Sequence, residues 1–220
     1  ANKLWNATRF RQMQGGEAEG EINPALLTSD DKWILLRLDA AIRAVTQALD
    51  GYNFSEAAQA LYRFFWSEYC DWYLEASKAS LLGSARDTHA HPGNAEAARK
   101  ANTLAVIDFV LGHALRMFHP FLPFITEELW DRLVEVGVKR ENLLCLSAWP
   151  LLTGLADAAA DEEIGWLVNL VSEVRSVRSE MNVPAGAKTP LVMVAASKAV
   201  RARAEDYEET IKRLARIDAL

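Results

Sequence analysis

Several features that define large classes of protein are missing from this 220-residue sequence. Its two cysteines, Cys70 and Cys145, are too few for a disulfide framework, so we expect free thiols in a reducing compartment. No run of about 18 apolar residues predicts a membrane-spanning helix. No basic-then-apolar leader indicates secretion. These absences favour a cytoplasmic protein with no membrane partner.

Motifs for common catalytic and nucleotide-binding sites are also absent. There is no G-x-S-x-G, Walker or Rossmann fingerprint, and the Gly/Glu loop over 15–20 lacks the lysine and hydroxyl residue of a phosphate-binding loop. His89 and His91 are close in sequence, but a metal site needs further ligands at a suitable spacing. Cys70 lies among aromatic residues with no histidine at helical distance, which favours a buried structural cysteine over a nucleophile. The sequence therefore predicts no catalytic residue, no metal site and no cofactor in this chain. A self-contained enzyme is the weakest hypothesis.

An overall basic charge is missing as well. Lysine and arginine total 24 against 30 aspartate and glutamate residues, a net charge of −6, which does not suit generic nucleic-acid binding. One local exception is the segment 1–16, which carries Lys3, Arg9 and Arg11 and no acidic residue. Lys3, Arg9, Asn6 and Phe10 combine cations with an amide and an aromatic ring. That mixture suits unpaired RNA bases, which are recognised by stacking and edge hydrogen bonds.

Two further groups have similar chemistry. Trp33, beside Lys32 and near Arg37, offers the same combination on the next predicted helix, and Arg175 and Arg178 form a basic stripe at i,i+3. From composition alone, these groups are better explained as solvent-exposed helix faces, along which the arginine stems lie, than as RNA contacts. An RNA-binding surface and a helical protein-interaction module with no RNA role therefore both stay open.

Half of the residues are hydrophobic, and one segment, 52–80, is unusually rich in aromatic residues. Read at helical spacing, one apolar stripe contains Phe54, Ala58, Leu61, Phe65, Tyr69, Trp72, Ala76 and Ala79, and a second contains Tyr62, Trp66, Cys70 and Tyr73. We predict one central helix, capped by Asn53 and contacted from several sides. Asp71 and Glu75 lie on its polar face, where an ion pair with Lys78 is favoured over acid–base catalysis.

The remaining pattern predicts a mainly α fold. Helices are expected over 2–14, from a cap at Thr28–Asp30 to Asp50, over 94–119, and from Pro123 to Gly137. With the aromatic helix they predict an antiparallel helical bundle over residues 1–150.

Residues 151–220 are predicted to be a second, small unit. A helix over 158–181 and another over 198–217 flank a single strand, 189–196. One strand cannot stand alone, so we expect a truncated α/β unit whose strand pairs beyond Leu220 or packs on the bundle. The absence of an initiator Met likewise suggests a piece of a longer polypeptide.

Five segments, in order, resemble class Ia aminoacyl-tRNA synthetases. KLWNATRF at 3–10 looks like the opening of the anticodon-binding domain, and DKWILLRL at 31–38 resembles its next helix. FWSEYCDWYLE at 65–75 is similar to the valyl branch of the family. HPFLPFITEELW at 119–130, with Trp149-Pro150 after it, resembles a later family motif, and VRSVRSEMNVP at 174–184 again resembles the valyl branch.

The resemblance implies a helical bundle that reads the tRNA anticodon, followed by a small α/β unit that leads to a coiled-coil arm outside this sequence. The parent enzyme would join valine to tRNA-Val, with ATP and Mg bound by a catalytic module that these residues do not include; the editing module is absent too. This region would bind the tRNA-Val anticodon stem-loop without charging it, pack against the catalytic module, and be monomeric. The base-reading residues would come from Asn6, Arg9, Phe10, Lys32, Trp33 and Arg37.

Overall fold

The computed structural model of the chain describes residues 1–15, 21–82, 94–134, 142–152, 158–184 and 186–220. Most of these residues are helical, which confirms the prediction of a mainly α protein. They form two compact units, Ala1–Asp157 and Ala158–Leu220, each of which is described by itself. Within the described residues, every helix is too short or too polar to cross a membrane.

The first unit contains α1 (Asn2–Met13), α2 (Ser29–Asp50), α3 (Phe54–Arg63), a π-helical segment (Phe64–Tyr73), α4 (Leu74–Leu82), α5 (Asn94–Phe118) and α6 (Pro123–Val134). Helix α5 contacts α1, α2, α3, α4 and α6, and its middle is buried on almost every side. A helix that is apolar all round belongs in a core, so α5 shares the central position that was predicted for the aromatic helix alone. The antiparallel order of the bundle stays a prediction.

Helix α2 begins as the sequence predicts. The Thr28 hydroxyl accepts from the backbone N–H of Asp31 (3.1 Å), and the Asp31 carboxylate accepts from the N–H of Thr28 (3.0 Å). This reciprocal capping box satisfies two N–H groups that the helix cannot pair itself. Asp31 also accepts a hydrogen bond from the buried Tyr73 hydroxyl (2.6 Å), which ties the start of α2 to the π-helical segment. Burial is the main cause that raises the pKa of Asp31.

The aromatic helix differs from its prediction in its middle. Residues 64–73 are π-helical, so the segment 54–82 is three consecutive helical pieces rather than one α-helix. Leu61, Phe65 and Trp72 are buried as predicted, but Phe54 is 58% exposed and Asn53 makes no side-chain cap. Because a π-turn closes over one residue more than an α-turn, no single 3.6-residue stripe describes both halves.

The second unit contains α7 (Ala158–Glu180), α8 (Lys198–Asp206) and α9 (Glu208–Ala215). The helix predicted over 198–217 is therefore broken near Tyr207. The inner face of α7 buries Ile164, Leu167 and Val171, and α9 packs on it.

The strand predicted over 189–196 is absent from the described residues of this unit. The segment makes only one isolated parallel bridge, between Thr189 and Ile217. Leu191 N–H donates to the Ala219 carbonyl (2.9 Å), and Asp218 N–H donates to the Thr189 carbonyl (3.4 Å). Pro190 has no N–H to donate, and Ala195 has a φ of 56°, outside the extended region. The unit is thus helical, with a short pairing between residues 189–191 and 217–219.

Candidate nucleic-acid interface

Helix α1 is fixed by a buried ion pair. The Arg11 side chain is 0% exposed, and its Nε and Nη2 donate to the two carboxylate oxygens of Asp108 on α5 (2.7 and 2.8 Å). A third N–H donates to the Gly15 carbonyl (3.1 Å). Arg11, which the sequence places in the basic patch, is therefore a core residue. Its bidentate bond sets which side of α1 faces solvent.

One flank of α1 faces the π-helical segment and α4. Lys3 Nζ lies 2.7 Å from a carboxylate oxygen of Asp71 and 4.4 Å from the centre of the Trp66 ring. At the other end of the flank, Lys78 Nζ lies 5.8 Å from the centre of the half-buried Phe10 ring. Cations and aromatic rings thus alternate along this side of the helix.

The other flank of α1 faces α6 across a cleft of about 200 Å³, which is lined by Trp5, Thr8, Arg9, Gln12, Leu129 and Arg132. Arg9 is exposed and makes no hydrogen bond or ion pair with any described residue. The Arg132 guanidinium lies 4.7 Å from the centre of the Trp5 ring. The guanidinium of Arg9, in the same cleft as the Trp5 indole and the Gln12 amide, can bind a phosphate while the neighbouring groups contact an unpaired base.

The outermost surface of α1 carries Asn6, which is exposed. Of the four residues that the sequence selects on this helix, Asn6 and Arg9 are exposed, and Lys3 and Phe10 are half-buried on one flank. The structure therefore brings these four to one connected surface, which we call the α1 surface together with Trp5, Gln12 and Arg132.

The candidates on α2 lie in a different environment. Trp33 is 4% exposed and packs in the core, so its ring offers no free face to a base. Arg37 forms an ion pair with Glu68, and Lys32 is half-buried. The buried arc of α2 is wider than its predicted stripe because α3, the π-helical segment and α5 all pack on it. A role for these three residues in RNA binding stays a prediction.

The candidates on α7 are bonded within their own unit. Arg175 Nε donates to the Leu214 carbonyl (2.9 Å). Arg178 donates to Thr189 Oγ1 (3.0 Å) and to backbone carbonyls of residues 184, 187 and 216. These bonds hold α7 to the irregular segments around it. RNA contacts by the same two arginines stay a prediction.

Sequence reasoning missed Trp5, Gln12 and Arg132. The first two could have been found, because Trp5, Arg9 and Gln12 follow the i, i+4, i+7 spacing of one helix face. Arg132 comes from a distant part of the chain, and nothing in the sequence links it to α1.

The sequence raises Cys70, Asp71 and Glu75 as possible catalytic groups, and the structure gives the environment of each. Cys70 is buried, as the sequence predicts, and burial is the main cause that raises the pKa of its thiol to about 12. Glu75 forms the predicted ion pair with Lys78 (2.6 Å), whereas Asp71 pairs with Lys3 of α1 (2.7 Å), a partner that the sequence did not predict. No cluster of three or more potential metal ligands occurs within the described ranges, and His89 and His91 lie outside them.

Comparisons with known proteins point to one family. A family model described as the anticodon-binding domain of tRNA ligase matches residues 31–193. The valine--tRNA ligase of Rhizobium meliloti is 45% identical over 98% of this chain, and those of Brucella suis and Caulobacter vibrioides are each 42% identical over 99%. The chain spans only 22–23% of the length of these curated relatives.

Proposed function

The chain belongs to the anticodon-binding domain family of tRNA ligases, and on that premise we propose that it binds the anticodon stem-loop of tRNA-Val through the α1 surface. The observation that carries the proposal is Arg9, an exposed cation without an ion pair among the described residues, placed beside an indole ring in a cleft. In a chain of net charge −6, a local cationic surface is what RNA binding requires.

The chemistry of the α1 surface supports a division of labour. Arg9 and Lys3 supply positive charge for phosphates, Asn6 supplies an amide for base edges, and Phe10 supplies a ring edge. Unpaired loop nucleotides, rather than a duplex, suit this mixture because their edges and faces are accessible. The candidates on α2 and α7 are secondary contacts in this proposal, since most of their polar atoms already have partners.

We further propose that this region belongs to a valine–tRNA ligase. The support is that its relatives carry that name and that the chain corresponds to about 22% of their length. On this view ATP and Mg bind to a catalytic module outside these residues, and the region binds tRNA without charging it. It acts in the cytoplasm as part of a monomeric enzyme and packs against the catalytic module.

A comparison of two RNAs tests anticodon reading. The 220-residue chain is titrated with tRNA-Val and with the same tRNA carrying another anticodon, at one fixed salt concentration. We expect the swap to weaken binding by about 1–3 kcal/mol for each base edge that is read. Equal affinity for the two RNAs would remove anticodon reading from this chain.

One observation favours a protein-interaction role on a different surface. The Phe124 side chain is 91% exposed at the start of α6, beside Leu143 and an open cleft that Glu127, Glu128 and Asp131 also line. Apolar side chains surrounded by carboxylates suit a protein partner better than the phosphate backbone of RNA. Salt-independent failure to bind any tRNA would favour this alternative as the main function.

A further inference from the structure

Tyr62 and Trp66 form an exposed aromatic pair where α3 meets the π-helical segment. Their ring centres lie 5.2 Å apart, with 23° between the ring planes. The two side chains are 56% and 39% exposed, whereas the neighbouring Phe64 and Phe65 are 2% exposed in the core. Aromatic side chains contribute most to stability when they are buried. The exposed pair therefore has surface available for a ligand.

Positive charge lies next to this pair. Lys3 Nζ is 4.4 Å from the centre of the Trp66 ring and 2.7 Å from an oxygen of Asp71, whose charge it offsets. Arg63 lies between the two aromatic residues in sequence, is exposed, and has no hydrogen bond or ion pair with the described residues. The pair thus has a local surplus of positive charge in an acidic chain.

We propose that Tyr62, Trp66, Arg63 and Lys3, together called the aromatic ledge, form a second RNA site that stacks one unpaired nucleotide. A base stacks mainly on Tyr62, the more exposed ring, because Trp66 already has Tyr62 stacked against it and Lys3 over its ring. Arg63 or Lys3 contacts the phosphate. Stacking of this kind tolerates any base, so the ledge contributes affinity for unpaired RNA rather than anticodon discrimination. The proposal rests on the proposed function, because Lys3 belongs to both the ledge and the α1 surface.

The ledge differs from the surface that favours a protein partner. Around Phe124 the neighbouring side chains are carboxylates, which repel phosphate. At the ledge the unpaired charge is the guanidinium of Arg63, and a cation already lies over the Trp66 ring. Aromatic rings with exposed cations are the combination found in grooves that bind single-stranded nucleic acid.

The test uses the 220-residue chain, an anticodon stem-loop RNA and a fully paired RNA duplex, all at one salt concentration. Tyr62→Ala and Trp66→Ala should each weaken stem-loop binding by about tenfold and change duplex binding by less than about twofold. Phe54→Ala is the matched control, because Phe54 is a 58% exposed ring on the same helix that contacts another ring, Tyr52, edge to face. It should leave both affinities unchanged.

Trp66→Phe keeps a ring and should restore most of the stem-loop affinity, and thermal unfolding checks that each variant is folded. Wild-type stem-loop affinity in a folded Tyr62→Ala protein would overturn the ledge and leave the α1 surface standing. Equal losses for stem-loop and duplex would also overturn it, since they would show a charge effect without stacking. A wild-type chain that binds neither RNA would overturn the ledge and the proposed function together.

Discussion

Arg9 in the first unit and Arg178 in the second end in opposite environments. Arg9 is exposed in a cleft, with no hydrogen bond to a described residue. Arg178 donates to the Thr189 hydroxyl and to the carbonyls of residues 184, 187 and 216. Irregular backbone leaves carbonyls without regular partners, and a nearby arginine satisfies them. Helix α1 has other helices as neighbours, whose carbonyls are largely used, so its exposed arginine stays available for a ligand.

Arg11 adds a third environment on the same helix as Arg9. Positions two residues apart on an α-helix point about 200° away from each other. Arg11 therefore points into the core, where it bonds to Asp108. Position on the helix and the acceptors within reach, rather than residue type, therefore decide whether an arginine here stabilises the fold or faces solvent.

Arg11→Ala should have the largest effect. It leaves the carboxylate of Asp108 buried without its cation, and loss of one partner of a buried pair costs about 3–5 kcal/mol. Urea unfolding measures the change, and Arg9→Ala on the same helix is the control, expected within about 0.5 kcal/mol of wild type. A loss below about 1 kcal/mol for Arg11→Ala would contradict the buried pair.

The pH dependence of that variant sharpens the assignment. Burial raises the pKa of Asp108 and Arg11 opposes the rise, so in Arg11→Ala the folded-state pKa should move further up. A raised folded-state pKa gives stability that is present below the unfolded pKa and lost as pH rises through the folded value. The destabilisation by Arg11→Ala should therefore shrink as pH falls toward about 4. A pH-independent difference would contradict this account.

Arg178→Ala should have the next largest effect. Hydrogen bonds from a charged donor contribute about 1.5–3 kcal/mol, and several are lost together. The amides of Leu191 and Asp218, which pair the extended segments, should exchange hydrogen faster. Arg175→Ala removes a bond to one carbonyl and serves as the milder comparison. Unchanged exchange in Arg178→Ala would show that these bonds do not hold the second unit together.

Arg9→Ala should leave stability alone and weaken binding to the tRNA-Val stem-loop by about 1–2 kcal/mol, because its guanidinium is free to meet phosphate or base. Arg99→Ala, which removes another exposed arginine at the start of α5, controls for a general loss of charge. Equal weakening by the two variants would break the distinction between a specific contact and overall electrostatics.

Lys3→Ala should have only a small effect on unfolding. Its ion pair with Asp71 is partly exposed on both sides, and such pairs contribute about 0.2–1 kcal/mol. Chemical unfolding in low and high salt measures it, with a smaller difference expected in high salt. A loss comparable to that of Arg11→Ala would mean that Lys3 holds α1 in place.

Local rules predicted much of this fold. The cap at Thr28, the buried face of α2 through Ile34, Leu38 and Val45, and the ion pair between Lys78 and Glu75 all follow from residues three or four positions apart. Such contacts are set by helix geometry, which the sequence displays directly.

Features that depend on distant partners could not be read in the same way. Trp33 is buried because three segments pack on α2 at once. The segment after Thr189 forms no strand because its backbone bonds reach only residues 217–219. The cleft at Arg9 needs Arg132 from α6. Residues on α1 were predictable as a candidate surface, but their neighbours across the cleft depend on how the helices pack.

The π-helical segment makes the length of residues 64–73 a constraint in its own right. Each of its turns holds one residue more than an α-turn, so removal of one residue could be absorbed by conversion to α-helix without breaking the chain's path. The residues after the deletion would then keep their side of the helix. A deletion in α3 has no extra residue to absorb it and would rotate everything after it by about 100°, so that Lys78 would leave Phe10, and Trp72 and Tyr73 would leave the core. In a deletion scan of this helix, losses inside 64–73 should therefore be tolerated better than losses in α3.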